Sequence, residues 1–198
     1  LISNIKTSSD HLLMIVNDIL DFSKIESGDM VLEETNFDIY DVVQRVYNSN
    51  LYIAREKQID LDFHIDEKIG HAHIGDPLRL QQVLSNLVSN AIKFTPQGKI
   101  GIRCELETEN TRSMKVRFEV EDTGIGISKE SQTTIFESFK QEDITIARTY
   151  GGSGLGLAIS KQIVELMGSK LRLDSIKDVG SKFYFTIDLP VAEHAISE

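Results

Sequence analysis

The chain has a single cysteine, Cys104, so it can form no intrachain disulfide, and a reducing compartment is its natural setting. Basic residues are the minority: 21 Lys and Arg stand against 31 Asp and Glu, a net charge of −10. No local basic patch offsets that balance, which argues against nucleic acid as a partner, because its phosphates would be repelled. No apolar run approaches the roughly 20 residues that cross a bilayer, and no signal-peptide pattern opens the chain. The expectation is a cytoplasmic segment with no membrane contact of its own, whatever anchors a parent protein. Internal repeats and low-complexity tracts are absent as well.

What is present suits a soluble globular fold. At 198 residues, 40% hydrophobic and 26% charged, the chain can build one well-cored domain with an appendage, or two small domains. It opens at Leu1 without a methionine, as expected of a piece of a longer protein. Residues 1 to about 27 read as a helix whose Ile2, Ile5, Leu12, Val16 and Ile19 make a 3-4 stripe seeking a partner helix. "SGD" at 27–29 ends it, and residues 30–34 read as extended. Asp38 then opens a second helix with Ile39, Val42, Val43 and Val46 as its buried stripe. Alternation predicts strands at 59–65, 100–106, 116–120, 171–174 and 183–189, and "ETENTRS" a polar hairpin turn. In "KIGIRCELE", Cys104 shares a face with Ile100, Ile102 and Leu106, which predicts a small buried core residue rather than a reactive thiol. The expected fold class is α+β, a two-layer sandwich of a mixed, mostly antiparallel sheet with helices on one face.

The stretch "LQQVLSNLVSNAIKFT" at 80–95 is an amphipathic helix launched by the Asp76 cap and Pro77. Leu80, Val83, Leu84, Leu87, Val88, Ala91 and Ile92 form its buried side. Gln82, Asn86, Asn90 and Lys93 lie near one line on the other. Asparagine is a poor interior helix residue because its amide competes for the backbone. Its oxygen is, however, a hard neutral ligand that suits Mg²⁺ among water and phosphate oxygens, and Lys93 adds a point charge. A solvated polar face accounts for any one of these residues alone. It accounts poorly for all three on one line together with two glycine segments.

Those segments are "VEDTGIGI" at 120–127, closing a strand, and "RTYGGSGLGLAI" at 148–159, opening the Leu155–Met167 helix. Gly152, Gly154 and Gly156 would let the backbone approach an anion at a helix N-terminus. The spacing matches neither a Walker A motif nor a Rossmann fingerprint, and each run alone is as readily a flexible turn.

Taken together, the chain resembles the catalytic and ATP-binding domain of sensor histidine kinases, particularly the hybrid type. These belong to the superfamily that includes gyrase, mismatch-repair ATPases and a heat-shock chaperone. "DPLRLQQVLSNLVSNAIKFT" is similar to the N box, "DTGIGI" to the first glycine box, "IFESFKQ" to the F box, "GGSGLGLAI" to the second glycine box and "GSKFYFTI" to the last. The leading "SSDHLLMIVNDILDFSKIESG" resembles the second helix of the dimerisation domain. The resemblance implies a Bergerat-type fold over 37–191, a partial dimerisation domain at 1–28, a linker at 29–36 and a tail at 192–198. It also implies ATP and Mg²⁺ as ligands.

Residue by residue, the resemblance implies that Asp122 accepts a hydrogen bond from the adenine amino group. Gly124, Gly126 and Ile127 pass near the base, and Ser181 approaches it through a water. Asn90 binds Mg²⁺ with Asn86 beside it, and Lys93 reaches the phosphate tail. Gly152, Ser153, Gly154, Leu155, Gly156 and Leu157 form the phosphate-side box. Residues 138–150 are a lid hinged at Phe136 and Phe139. Arg148 stays open between a terminal-phosphate contact and a solvated lid arginine. Hydrolysing superfamily members carry glutamate where Asn86 stands; an amide cannot act as general base toward water, which fits transfer to another acceptor.

One element of the family is missing. No His-Glu-Leu/Ile-Arg-Thr-Pro box is present, and His11 lies outside any such context, so the acceptor histidine is expected outside this chain. "HAH" at 71–73 reads as a surface approach to the "GDP" turn rather than a metal site. The leading reading is a kinase domain that phosphorylates a histidine on a dimerisation helix, of the same protein or a dimer mate, for relay to a response-regulator receiver domain, within a homodimeric parent. Two others stand beside it: a nucleotide-sensing or scaffolding module without kinase activity, and a chaperone- or topoisomerase-type ATPase.

Overall fold

The computed structural model describes residues 13, 16–70, 72–110, 112–137 and 154–191. His11, His71, Phe139, Arg148, Gly152, Ser153, the 138–150 segment and the tail lie outside the described residues.

Residues 16–26 form α1, which ends as Gly28 takes a left-handed turn (φ 75°) and Asp29 N–H bonds Lys24 O at 2.9 Å. The elements that follow are β1 (Thr35–Phe37), α2 (Ile39–Glu56), β2 (Ile59–Ile65), β3 (His73–Gly75), α3 (Pro77–Phe94), β4 (Gly98–Glu109), β5 (Ser113–Asp122), the single turn α4 (Lys129–Gln132), α5 (Gly156–Leu166), β6 (Arg172–Ile176) and β7 (Gly180–Pro190). The caps are where the sequence puts them. Asp38 Oδ1 accepts from Tyr40 N–H at 2.8 Å, and Asp76 Oδ1 from Arg79 N–H at 2.9 Å.

Five strands make one sheet in the order β2-β4-β5-β7-β6, with β2–β4 parallel and the remaining pairs antiparallel. The predicted alternation holds along it. Ile100, Ile102 and Cys104 of β4, Val116, Phe118 and Val120 of β5, and Phe183, Phe185 and Ile187 of β7 all face the buried side. Helices α2, α3 and α5 cover that side, so the fold is the expected two-layer α+β sandwich. Phe118 and Phe185 stack at 5.3 Å in its centre. The Cys104 thiol is fully buried, and burial pushes its pKa up to about 12, so it stays protonated as a core residue.

All seven apolar residues of the α3 stripe are buried, each contributing on the order of 1–3 kcal/mol. The opposite face of the sheet carries charged residues, of which Glu119 is itself buried beneath its partners. There Glu119 pairs with Lys182 at 2.9 Å and Arg117 at 3.3 Å, and Arg117 lies 4.1 Å over the Tyr184 ring.

Two features depart from expectation. His73 is not a surface approach to the following turn. It is 1% exposed, on β3, which pairs with β1 in a separate two-stranded sheet. A three-residue strand has almost no periodicity of its own, and its pairing partner lies some 40 residues upstream. The leading helix is also divided. Leu13, Val16, Ile19 and Leu20 remain exposed, as an uncovered stripe would, whereas Phe22 and Ile25 pack on the core. Asp21 reaches α3, accepting from Arg79 Nη1 at 3.0 Å and Gln82 Nε2 at 2.7 Å. Among the described residues no helix is long and apolar enough to cross a membrane.

Candidate active site

The C-terminal end of β5 and the last turn of α3 meet at the first glycine segment. Asp122, 8% exposed, accepts Gly124 N–H at 2.8 Å, and Ile125 N–H bonds Phe94 O at 3.1 Å. Burial raises the Asp122 pKa above the ordinary carboxylate value and neighbouring Glu121 adds to the rise, while the Gly124 and Ser181 backbone N–H groups oppose it. Thr95 is fully buried with its Oγ1 unbonded. A point beside Gly124 lies 2.8 Å from that oxygen and 2.9 Å from Asp122 Oδ1, so the two face one small region. Gly126 takes φ 61°, and a Cβ there would sit 2.0 Å from Ile176 O. Only glycine permits that approach of the loop to β6.

The β6–β7 hairpin holds the same loop. Ser175 Oγ accepts from Ile127 N–H at 2.8 Å, donates to Gly180 O at 2.9 Å and lies 3.0 Å from Ser181 Oγ. Gln132 Nε2 donates both to Ile127 O at 2.9 Å and to Ser175 O at 3.0 Å.

One to two turns back along α3 lies the polar line. Asn86 Nδ2 donates to Ser160 Oγ on α5 at 2.9 Å, and Asn90 Nδ2 approaches Asn86 Oδ1 at 3.5 Å. Gly156 opens α5 directly against this pair: a Cβ there would meet Asn86 Oδ1 at 2.3 Å. No side chain caps α5 at Leu155, which is buried, and Leu157 packs partly against the core. Lys93, its pKa lowered by burial, lies with its ammonium 4.9 Å from the centre of the Phe94 ring.

The predicted residues thus gather in two groups joined by α3. Asp122, Gly124, Gly126, Ile127 and Ser181 form one; Asn86, Asn90, Gly156 and the start of α5 form the other. Along the axis Asn90 and Thr95 are about 7 Å apart, the scale of a nucleotide's ribose. Thr95, Gln132, Ser160 and Ser175 were missed. Ser160 carried a legible signal, a hydroxyl on the apolar α5 one turn after Gly156. Gln132 and Ser175 carried none, because the contact that joins them spans 43 residues of sequence.

The donor set fits a hard cation that takes neutral oxygens. No cluster of three or more His, Cys, Asp or Glu able to hold a metal occurs among the described residues, so two Asn oxygens leave most positions to phosphate and water. A buried carboxylate acceptor at one end and an uncapped helix start at the other suit a purine with an amino group and a phosphate chain.

Residues 75–191 match the family described as "Histidine kinase-, DNA gyrase B-, and HSP90-like ATPase". The chain belongs to that family. It is 43% identical over 189 residues to the sensor histidine kinase GacS of Pseudomonas protegens, covering 96% of this chain and 21% of the relative. It superimposes on full-length ShkA, solved in complex with AMPPNP, with a TM-score of 0.82 at 30% identity, covering 96% of this chain and 38% of that one. Histidine kinase ThkA in complex with the response regulator protein TrrA gives a TM-score of 0.69 at 31% identity, covering 96% and 50% respectively. The chain spans about a fifth of the length of GacS.

Proposed function

We propose that this chain binds Mg·ATP and transfers its terminal phosphoryl group to a histidine outside the chain, for relay to a response-regulator aspartate. The observation that carries the reading is the placement of Asn86 and Asn90 against the start of α5, with Asp122 buried at the end of β5, where that strand meets the last turn of the same α3. That relatives 38–43% identical to this chain are named histidine kinases supports it.

Asp122 accepts from the adenine amino group, and its desolvation strengthens that bond. Asn90, oriented by Asn86, would hold Mg²⁺, which neutralises charge on the phosphates when bound. Asn86 is anchored to Ser160 through its Nδ2, which fixes it beside Asn90 and the first turn of α5 and leaves its Oδ1 as the second amide oxygen for the cation. Lys93 brings a cation whose partial desolvation makes it a stronger partner for the phosphate tail. Gly154, Leu155, Gly156 and Leu157 let the helix start approach the phosphates; Gly152, Ser153, Phe139 and Arg148 belong to the same proposal through the family's motif. With no carboxylate at 86, the site has no general base there for water, which favours a histidine nitrogen as acceptor. We assign residues 1–28 to a dimerisation helix, 29–36 to a linker and 37–191 to the catalytic domain, in a homodimeric parent that meets a receiver domain.

The test uses terminally radiolabelled ATP. The chain should bind Mg·ATP, lose that affinity in Asp122→Ala, and acquire no label. A chain extended upstream through a histidine box should acquire acid-labile, alkali-stable label that Asn90→Ala abolishes. Unchanged affinity in Asp122→Ala, or stoichiometric label on His11 of the short chain, would refute this reading.

A further inference from the structure

Helix α3 ends on carbonyls that its own backbone cannot satisfy. In an α-helix the C=O of Ile92 would take the N–H four residues on, but residue 96 is proline and has none. Proline also pushes the residue before it out of the helical region. Thr95 is extended (φ −105°, ψ 105°), and the helix stops at Phe94. Water is a poor substitute donor, because Ile92 is only 4% exposed. The donor comes from a neighbouring helix: Lys57 Nζ, at the end of α2, donates to Ile92 O at 2.9 Å. Two residues further along α3, Phe94 O takes the N–H of Ile125 from the first glycine segment at 3.1 Å.

An ammonium suits this place for a second reason. Helix α2 runs into β2 and α3 into β4, and those strands are parallel, with Ile59 opposite Gly98. The two helices therefore end at one edge of the sheet, and the negative ends of their dipoles lie together. A neutral donor would satisfy the carbonyl, whereas a cation also offsets that charge. Lys57 is the C-cap residue of α2, and its own N–H bonds Ile53 O at 3.2 Å. The side chain that spans to α3 thus starts from a fixed point.

We propose that Lys57 is a positioning residue for the phosphate end: its ammonium stands in for the missing Pro96 N–H and holds the last turn of α3, and with it Lys93, in place. Lys93 is the basic residue of that turn. Without Lys57 the buried Ile92 carbonyl loses its donor, and the turn must open to bring that carbonyl to water. The Lys93 ammonium moves with it. The inference rests on the nucleotide reading above and adds to it a residue that acts through Lys93 without touching the nucleotide.

The experiment measures affinity for Mg·ATP by calorimetry, in the chain as it stands, over a double-mutant cycle of Lys57→Met and Lys93→Met. Methionine keeps an apolar stem at position 57 and removes both donor and charge. Lys57→Met alone should weaken Mg·ATP roughly five- to tenfold, as loss of one well-formed hydrogen bond does. In the Lys93→Met background the same change should cost less than about twofold, because the group it positions is already gone. Lys57→Arg, which keeps the charge and the donor, should restore the affinity. Should Lys57→Met fold too poorly to assay, Lys57→Gln, which drops the charge, enters the same cycle with the same expectation. A merely structural role, or the distant pull of a lost charge, would weaken binding by the same factor in both backgrounds. That result, or unchanged affinity on substituting Lys57, would overturn the inference. Failure of the unsubstituted chain to bind ATP would instead overturn the nucleotide reading itself.

Discussion

Gly156→Ala separates the fold from the site in a single methyl group. The added Cβ would lie 2.3 Å from Asn86 Oδ1, 3.0 Å from its Cγ and 3.2 Å from its Nδ2, all three closer than ordinary van der Waals contact. A side chain can move where a backbone could not, so Asn86 rotates away and its 2.9 Å bond to Ser160 breaks. The lost hydrogen bond costs about 1 kcal/mol, with Ser160 left buried. Against this, alanine in the first turn of α5 gains about 0.5–1 kcal/mol over glycine in helix propensity. The two nearly cancel, so the melting temperature should shift by no more than about 2–4 °C in a chain of this size. Asn90 loses its neighbour at the same time, and a displacement of about 1 Å at a phosphoryl-transfer site costs on the order of a hundredfold in rate. Scanning fluorimetry should therefore report a near-native fold. Calorimetry should report that Mg²⁺ no longer enhances ATP binding, and an upstream-extended chain should lose most of its labelling. A variant that keeps both its melting temperature and the full Mg²⁺ dependence would show that Asn86 and Gly156 do not set the phosphate end.

Because burial raises the Asp122 pKa, the ionised carboxylate costs stability above that raised pKa, and the cost fades as pH falls through it toward the ordinary value of about 4. Asp122→Asn should accordingly hold or raise the melting temperature at pH 7, with the gain shrinking on acidification, while ATP affinity is lost; a destabilised Asn variant at pH 7 would contradict the assigned cause. In the unsubstituted chain, ATP affinity should begin to fall at a pH above that of an ordinary aspartate. Arg79→Ala removes the contact to Asp21 and Gln82, whose two charged partners are 19% and 17% exposed, and should cost about 1 kcal/mol and speed amide exchange in α1. Exchange in α1 unchanged from the parent chain would mean that the apolar Phe22 and Ile25 contacts hold the helix by themselves.

Much of this protein is written locally. The α3 stripe from Leu80 to Ile92, the caps at Asp38 and Asp76, the alternation of β4, β5 and β7, and the buried Cys104 each follow from periodicity or capping within a dozen residues. The line of Asn86, Asn90 and Lys93 was legible for the same reason, since helical spacing alone puts them on one side. The strand β3 was not, because three residues carry too little pattern and become a strand only by pairing with β1. Nor could the sequence say that Asn86 would be turned toward Ser160, 74 residues away, or that Gln132 would bridge Ile127 and Ser175. A side chain's periodicity states which face it occupies, and that is local. Which donor it meets across the layer depends on how α3, α5 and the β6–β7 hairpin pack, and only the assembled core decides that.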